Sequence, residues 1–103
     1  MRAYLLAVAF LLSPAVVHAA EMMEAEIKTF QFMPKEITVK AGTVIKWTNN
    51  DAIDHSATAK DGSFDTEFFN KGESREITAG KPGTYEIFCK RHPSMKATLV
   101  VTE

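Results

Sequence analysis

Turn signals interrupt this chain so often that no long helix fits between them. Met33-Pro34, Ala41-Gly42, Asn49-Asn50-Asp51, Asp61-Gly62, Lys71-Gly72, Ala79-Gly80 and Pro82-Gly83 each mark a place where the backbone readily reverses. The segments left between them are rich in β-branched and aromatic residues: Ile27 to Phe32, Ile37 to Lys40, Val44 to Thr48, Ser74 to Thr78, Thr84 to Cys89 and Lys96 to Thr102. Such runs read as strands. Beyond residue 25 nothing sustains a helical period for more than a couple of turns. The prediction is an all-β domain, an antiparallel sandwich or barrel.

Alternation then assigns faces. Ile37 and Val39, Ile45 and Trp47, Tyr85 with Ile87 and Cys89, and Ala97 with Leu99 and Val101 share sides of their strands. The opposite face of the fifth run carries Glu86, Phe88 and Lys90 and is mostly polar, so Tyr85, Ile87 and Cys89 point inward. The thiol of Cys89 therefore starts from the inner layer, at the end of its strand. Phe30, Phe32, Trp47 and Tyr85 read as core. Asp51 to Glu73 is long for a connection in so small a domain. A brief strand is expected at about His55 to Ala59, then a surface excursion to Phe68 and Phe69. Two adjacent phenylalanines cannot both point inward from an extended segment, so one is expected to cover the site or the end of the sandwich.

The beginning of the chain has a different character. Arg2 gives a positive start, Ala3 to Leu12 carries no charge, Ser13-Pro14 breaks the run, and Val17-His18-Ala19 supplies small residues at an export cleavage site. Residues 1–19 are read as a cleaved signal peptide and 20–103 as one domain. The alternative is an uncleaved anchor, disfavoured by Ser13, Pro14 and His18 in the apolar run. Without residues 1–19 the chain loses Arg2 and no acid, leaving 11 basic against 13 acidic side chains. That balance makes no case for nucleic acid. A domain this small is marginal unless something ties it together. Cys89 is the only cysteine, so no internal disulfide does so, whereas a metal bound only by the folded form would.

Outside the leader the chain holds two imidazoles and one thiol, His55, His92 and Cys89. Cys89, His92 and Met95 fall at even three-residue intervals, close enough for a tight turn to gather them around one point. His55 is the imidazole left to supply a fourth donor. A soft thiolate and a thioether beside imidazole favour Cu(I) while still holding Cu(II). Singly, each residue has a plainer reading: a lone cysteine as a small buried hydrophobe, a histidine as a surface residue, a methionine as packing. Together they point to a metal. Zinc also binds Cys and His, although a thioether is a weak reason for it.

Further stretches accompany this set: Phe32-Met33-Pro34, Ile37-Thr38-Val39, Ala41-Gly42-Thr43-Val44, Trp47-Thr48-Asn49-Asn50-Asp51, His55-Ser56-Ala57-Thr58-Ala59, Pro82-Gly83-Thr84-Tyr85 and the Cys89 to Met95 loop. With them the chain resembles the cupredoxins, small blue copper proteins, and among them the amicyanin-like group with a short ligand loop. The resemblance implies a Greek-key β-sandwich with one type 1 copper ion at one end, bound equatorially by His55, Cys89 and His92 and axially by Met95. It implies a soluble, monomeric one-electron carrier, not an enzyme, working between exported redox partners in the periplasm, with no membrane association after signal cleavage. Partners are expected to dock near His92, whose edge should meet solvent in an apolar patch with Pro93, Met33 and Pro34. Lys90, Arg91 and Lys96 flank the loop and read equally as a face for an acidic partner or as simply solvated charges. A periplasmic copper carrier that delivers metal to another protein is the alternative, and a metal-free interaction module a third reading.

Departures from the family pattern carry their own expectations. Many relatives have proline where Arg91 stands, so Arg91 restores an N–H that is expected to hydrogen-bond the Cys89 sulfur and raise the reduction potential. Several have asparagine where Ser56 stands, which keeps the backbone N–H but shortens the side chain that braces the site. Asp54, next to His55, either tunes the site or faces water.

Overall fold

The computed structural model describes residues 21–103, and the segment read as an export signal lies outside them. Among these residues the chain forms β1 (Met22–Lys28), β2 (Gln31–Met33), β3 (Glu36–Lys40), β4 (Val44–Asn49), β5 (Thr58–Ala59), β6 (Ser74–Thr78), β7 (Gly83–Phe88) and β8 (Lys96–Thr102), with no helix. Two four-stranded sheets result, in the orders β2-β1-β4-β6 and β3-β8-β7-β5. The all-β sandwich is as expected; the purely antiparallel pairing is not. β1 lies parallel to β4, and β3 parallel to β8. After β2 the chain crosses to the other sheet for β3 and returns for β4. Neighbours separated by such a crossing are not joined by a hairpin and need not be antiparallel.

The inward faces follow the alternation. Strand β4 buries Ile45, Trp47 and Asn49, and β8 buries Ala97, Leu99 and Val101. These meet Ile27, Phe32, Ile37 and Ile87 in one core, where burying each large aliphatic or aromatic side chain contributes about 1.5–3 kcal/mol. Trp47 lies fully inside, stacked on Phe64 at 6.3 Å between ring centroids. Cys89 continues the inward face of β7 beyond Ile87 and is fully buried, as its alternation predicts.

One expected strand proves to be two. The run Ile27 to Phe32 breaks at Thr29 and Phe30, which have φ of 54° and 58° and join β1 to β2 as a hairpin. Neither residue favours positive φ, so no local signal marks this turn. Phe30 consequently leaves the core to which its alternation assigned it and is 43% exposed. The brief strand near His55 is also shorter than expected. Only Thr58 and Ala59 form it, while His55 makes a single bridge to Phe69.

Candidate metal centre

Three segments meet at one end of the sandwich: the β1–β2 turn, the connection from β4 to β5, and the loop from β7 to β8. The last is shaped by its three-residue spacing. The His92 N–H donates to the Cys89 carbonyl at 3.1 Å and the Met95 N–H to the His92 carbonyl at 2.8 Å. Two successive turns are thus closed by i to i+3 hydrogen bonds. The Cys89 N–H returns to the Met95 carbonyl at 3.3 Å and shuts the loop. Cys89, His92 and Met95 sit at the corners of these turns, with Met95 5% exposed within the core.

The donor atoms of His55, Cys89 and His92 all lie within 4.8 Å of one another. Cys89 Sγ is 3.7 Å from His55 Nδ1 and 3.8 Å from His92 Nδ1. His55 and Cys89 are fully buried and His92 half-buried. The Ser56 N–H points at Cys89 Sγ, at 3.4 Å, so the hydrogen bond to sulfur comes from Ser56. Among the described residues the Arg91 N–H, expected in that role, makes no hydrogen bond to the sulfur; in that turn it is the His92 N–H that bonds, to the Cys89 carbonyl. The short Ser56 side chain also braces the site. Its hydroxyl accepts the Lys90 N–H at 3.0 Å and shares a hydrogen bond with the Thr58 hydroxyl at 2.9 Å. Ser56→Ala should strip a part-buried N–H of its acceptor and lower the unfolding free energy by about 1–2 kcal/mol, read from the denaturant midpoint.

Asp51 is the functional residue that the sequence concealed. Its Oδ1 accepts the Thr29 N–H at 2.6 Å and its Oδ2 the Phe30 N–H at 2.8 Å, while His55 Nε2 lies 2.9 Å from Oδ2. Burial pushes the Asp51 carboxyl up. The Phe30 and Thr29 N–H groups and the neighbouring His55 outweigh it and hold it below the usual 3.8. An ionised carboxylate can only accept. His55 Nε2 therefore donates to Asp51, which leaves Nδ1 as the ring nitrogen that faces Cys89 Sγ. This is the carboxylate–histidine arrangement that orients ligating rings. The same carboxylate pins the Thr29-Phe30 turn, which lays Phe30 edge-on to both imidazoles, with centroids 5.1 Å from His55 and 5.0 Å from His92.

Phe68 and Phe69 divide as expected, one in and one out. Phe69 is buried in the core, while Phe68 lies half-buried beneath the Lys90 ammonium and the Arg91 guanidinium, 5.3 and 4.8 Å from its centroid. Phe68 thus props the ligand loop from the side, and Phe30 covers the imidazoles. Lys90 pairs with Asp65 at 2.8 Å and Glu67 at 3.0 Å, and Arg91 with Asp54 at 3.2 Å. Asp54 is therefore a partner of the loop. Burial pushes the Asp65 carboxyl up, but the Lys90 ammonium, the Glu67 N–H and the Thr58 hydroxyl together hold it below 3.8. Its contribution to stability is full above the unfolded value and disappears as pH falls through the folded one. Asp65→Asn should flatten the fall in denaturant midpoint below pH 3.8.

A family model described as a Cupredoxin-like domain matches residues 2–101 of this chain. The chain belongs to the cupredoxin-like family. Amicyanin of Paracoccus versutus is 29% identical over 87 residues, covering 80% of this chain and 66% of that protein. The chain thus spans just under two thirds of that relative's length. Amicyanin-alpha of Methylorubrum extorquens is 30% identical over 83 residues, covering 76% of this chain and 70% of its own length. An amicyanin variant solved in its reduced Cu(I) form at pH 4 superposes with a TM-score of 0.70 at 25% identity, covering 84% of this chain and 85% of that one.

The donor set of this cupredoxin fits copper. A thiolate with two imidazoles, backed by a buried thioether in the same loop, is the type 1 copper combination. No carboxylate belongs to the converging trio, and Asp51 acts behind it, through the far nitrogen of His55. Hard cations that prefer oxygen donors have no purchase here.

Proposed function

We propose that this chain is a soluble one-electron carrier whose single type 1 copper ion is held by His55, Cys89, His92 and Met95. Residues 1–19 direct export and are removed, and residues 20–103 work as a monomer in the periplasm between redox proteins that dock near His92. The observation that carries this reading is the convergence of three donors, two of them fully buried, on the end of a braced sandwich. Bound copper supplies the one-electron step by cycling between Cu(II) and Cu(I).

The protein's part is to hold its donors still. Cys89 is fixed by its strand end, its sulfur by the Ser56 N–H, and His55 by Asp51. A scaffold that keeps one arrangement in both oxidation states lowers the atomic motion accompanying electron transfer. Burial of His55 and Cys89 keeps water from the thiolate, and half-buried His92 gives the electron its way out. Four protein donors leave no position open for a substrate, unlike the open site of a catalytic metal, which supports a carrier over an enzyme.

A copper-delivery protein would use the same donors but would release its ion quickly. Electron self-exchange and the copper off-rate, measured on one sample, separate the two. The electron-carrier reading requires exchange of electrons to outrun loss of copper by orders of magnitude. Rapid copper transfer to a chelator with slow self-exchange would overturn it.

A further inference from the structure

The two positive charges between Cys89 and His92 are already spent within the molecule. Lys90 faces Asp65 and Glu67, and Arg91 faces Asp54, so three carboxylates surround two cations. On the other side of the ligand loop a groove of about 500 Å³ opens between it and the β2–β3 turn. Lys35 and Lys96 line it, and no acidic side chain does. Neither ammonium has an ion-pair partner among the described residues. Backbone pairing fixes both lysines in place. The Thr98 N–H donates to the Lys35 carbonyl at 2.9 Å, and Lys96 opens β8 directly after Met95. The groove's lining includes Met95 and the exposed Phe30 and Met33, 43% and 44% accessible.

We propose that this groove is where the redox partner docks, and that the partner is an acidic protein whose carboxylates pair with Lys35 and Lys96 while an apolar side chain rests on Phe30 and Met33. The inference rests on the electron-carrier reading and says where and by what chemistry its partner is held. Charge complementarity selects the partner: the exported chain has two more acids than bases, yet the only charged side chains lining this opening beside the metal donors are the two lysines. Aromatic and methionine side chains are the usual anchors of protein interfaces, and two of them are presented here. A partner seated in the groove lies against Met95 and across Phe30 from His92. Lys90 and Arg91, although closer in sequence to Cys89, contribute little because their charges are matched.

The test uses the Cu(I)-loaded protein and a synthetic glutamate-rich peptide with one central phenylalanine, followed by NMR. Amide shifts should concentrate at Phe30, Met33, Lys35 and Lys96. The double variant Lys35→Glu, Lys96→Glu should weaken binding by about fivefold or more, and Lys90→Glu by less than about twofold. Equal weakening by Lys90→Glu, or shifts confined to the Asp54–Phe68 side, would overturn the proposal. So would inorganic phosphate reproducing the same shifts, which would make this a simple anion site. Sedimentation showing a dimer that Lys35→Glu dissociates would assign the groove to a second copy and equally overturn it. Failure of the wild type to develop a thiolate–copper band would sink the electron-carrier reading instead. The peptide map, repeated on the metal-free chain, would still decide the groove.

Discussion

Asp51→Ala should weaken copper binding by about 10–100-fold, the usual loss when the group orienting a ligating histidine is removed. It should also lower the stability of the metal-free chain by about 2–3 kcal/mol. Both effects arise from one carboxylate. Without it the fully buried His55 ring keeps a donor on Nε2 with nothing to receive it, and the proton can move to Nδ1, the nitrogen that faces Cys89. The Thr29-Phe30 turn also loses both acceptors that hold its two left-handed residues, so Phe30 no longer lies against the imidazoles. Asp51→Asn should fall between wild type and alanine. Its single oxygen can serve His55 only by turning its NH₂ group against the Thr29 N–H. Copper competition assays and denaturant midpoints on the three proteins check the order.

Cys89→Ala should abolish the intense visible band at about 600 nm that thiolate-to-copper charge transfer gives, leaving at most weak copper binding through the imidazoles. Its effect on the fold should be small by comparison. Alanine loses one sulfur atom from a fully buried site, and the loop-closing hydrogen bonds of Cys89, His92 and Met95 are all made by backbone atoms. Far-ultraviolet circular dichroism should therefore match wild type while the colour is gone. Loss of the fold along with the colour would mean that the thiol is chiefly a packing residue.

What could be read from the sequence is what local pattern controls. Period-two alternation placed Cys89 on the inner face beyond Ile87, and the three-residue spacing of Cys89, His92 and Met95 became two consecutive turns. What escaped depends on partners distant along the chain. Thr29 and Phe30 lack the residue types of a tight turn, and the acceptor that holds them is Asp51, 22 and 21 positions away. Asp51 itself looked like one more turn residue in Asn49-Asn50-Asp51. Only folding brings it to the far side of His55. The charges of Lys90 and Arg91 looked free for the same reason, because Asp65, Glu67 and Asp54 reach them from the long connection between β4 and β6. Parallel pairing of β1 with β4 and β3 with β8 was equally hidden, being set by crossings between sheets that no local pattern records.

Titration of the purified residue 20–103 protein with Cu(II), followed in the visible spectrum, bears most directly on the whole account. The band at about 600 nm should rise linearly and stop at one equivalent, and ascorbate should bleach it reversibly. A chain that stays colourless beyond one equivalent, or that binds copper with only the weak absorption of nitrogen and oxygen donors, would show that Cys89, His55 and His92 do not share an ion.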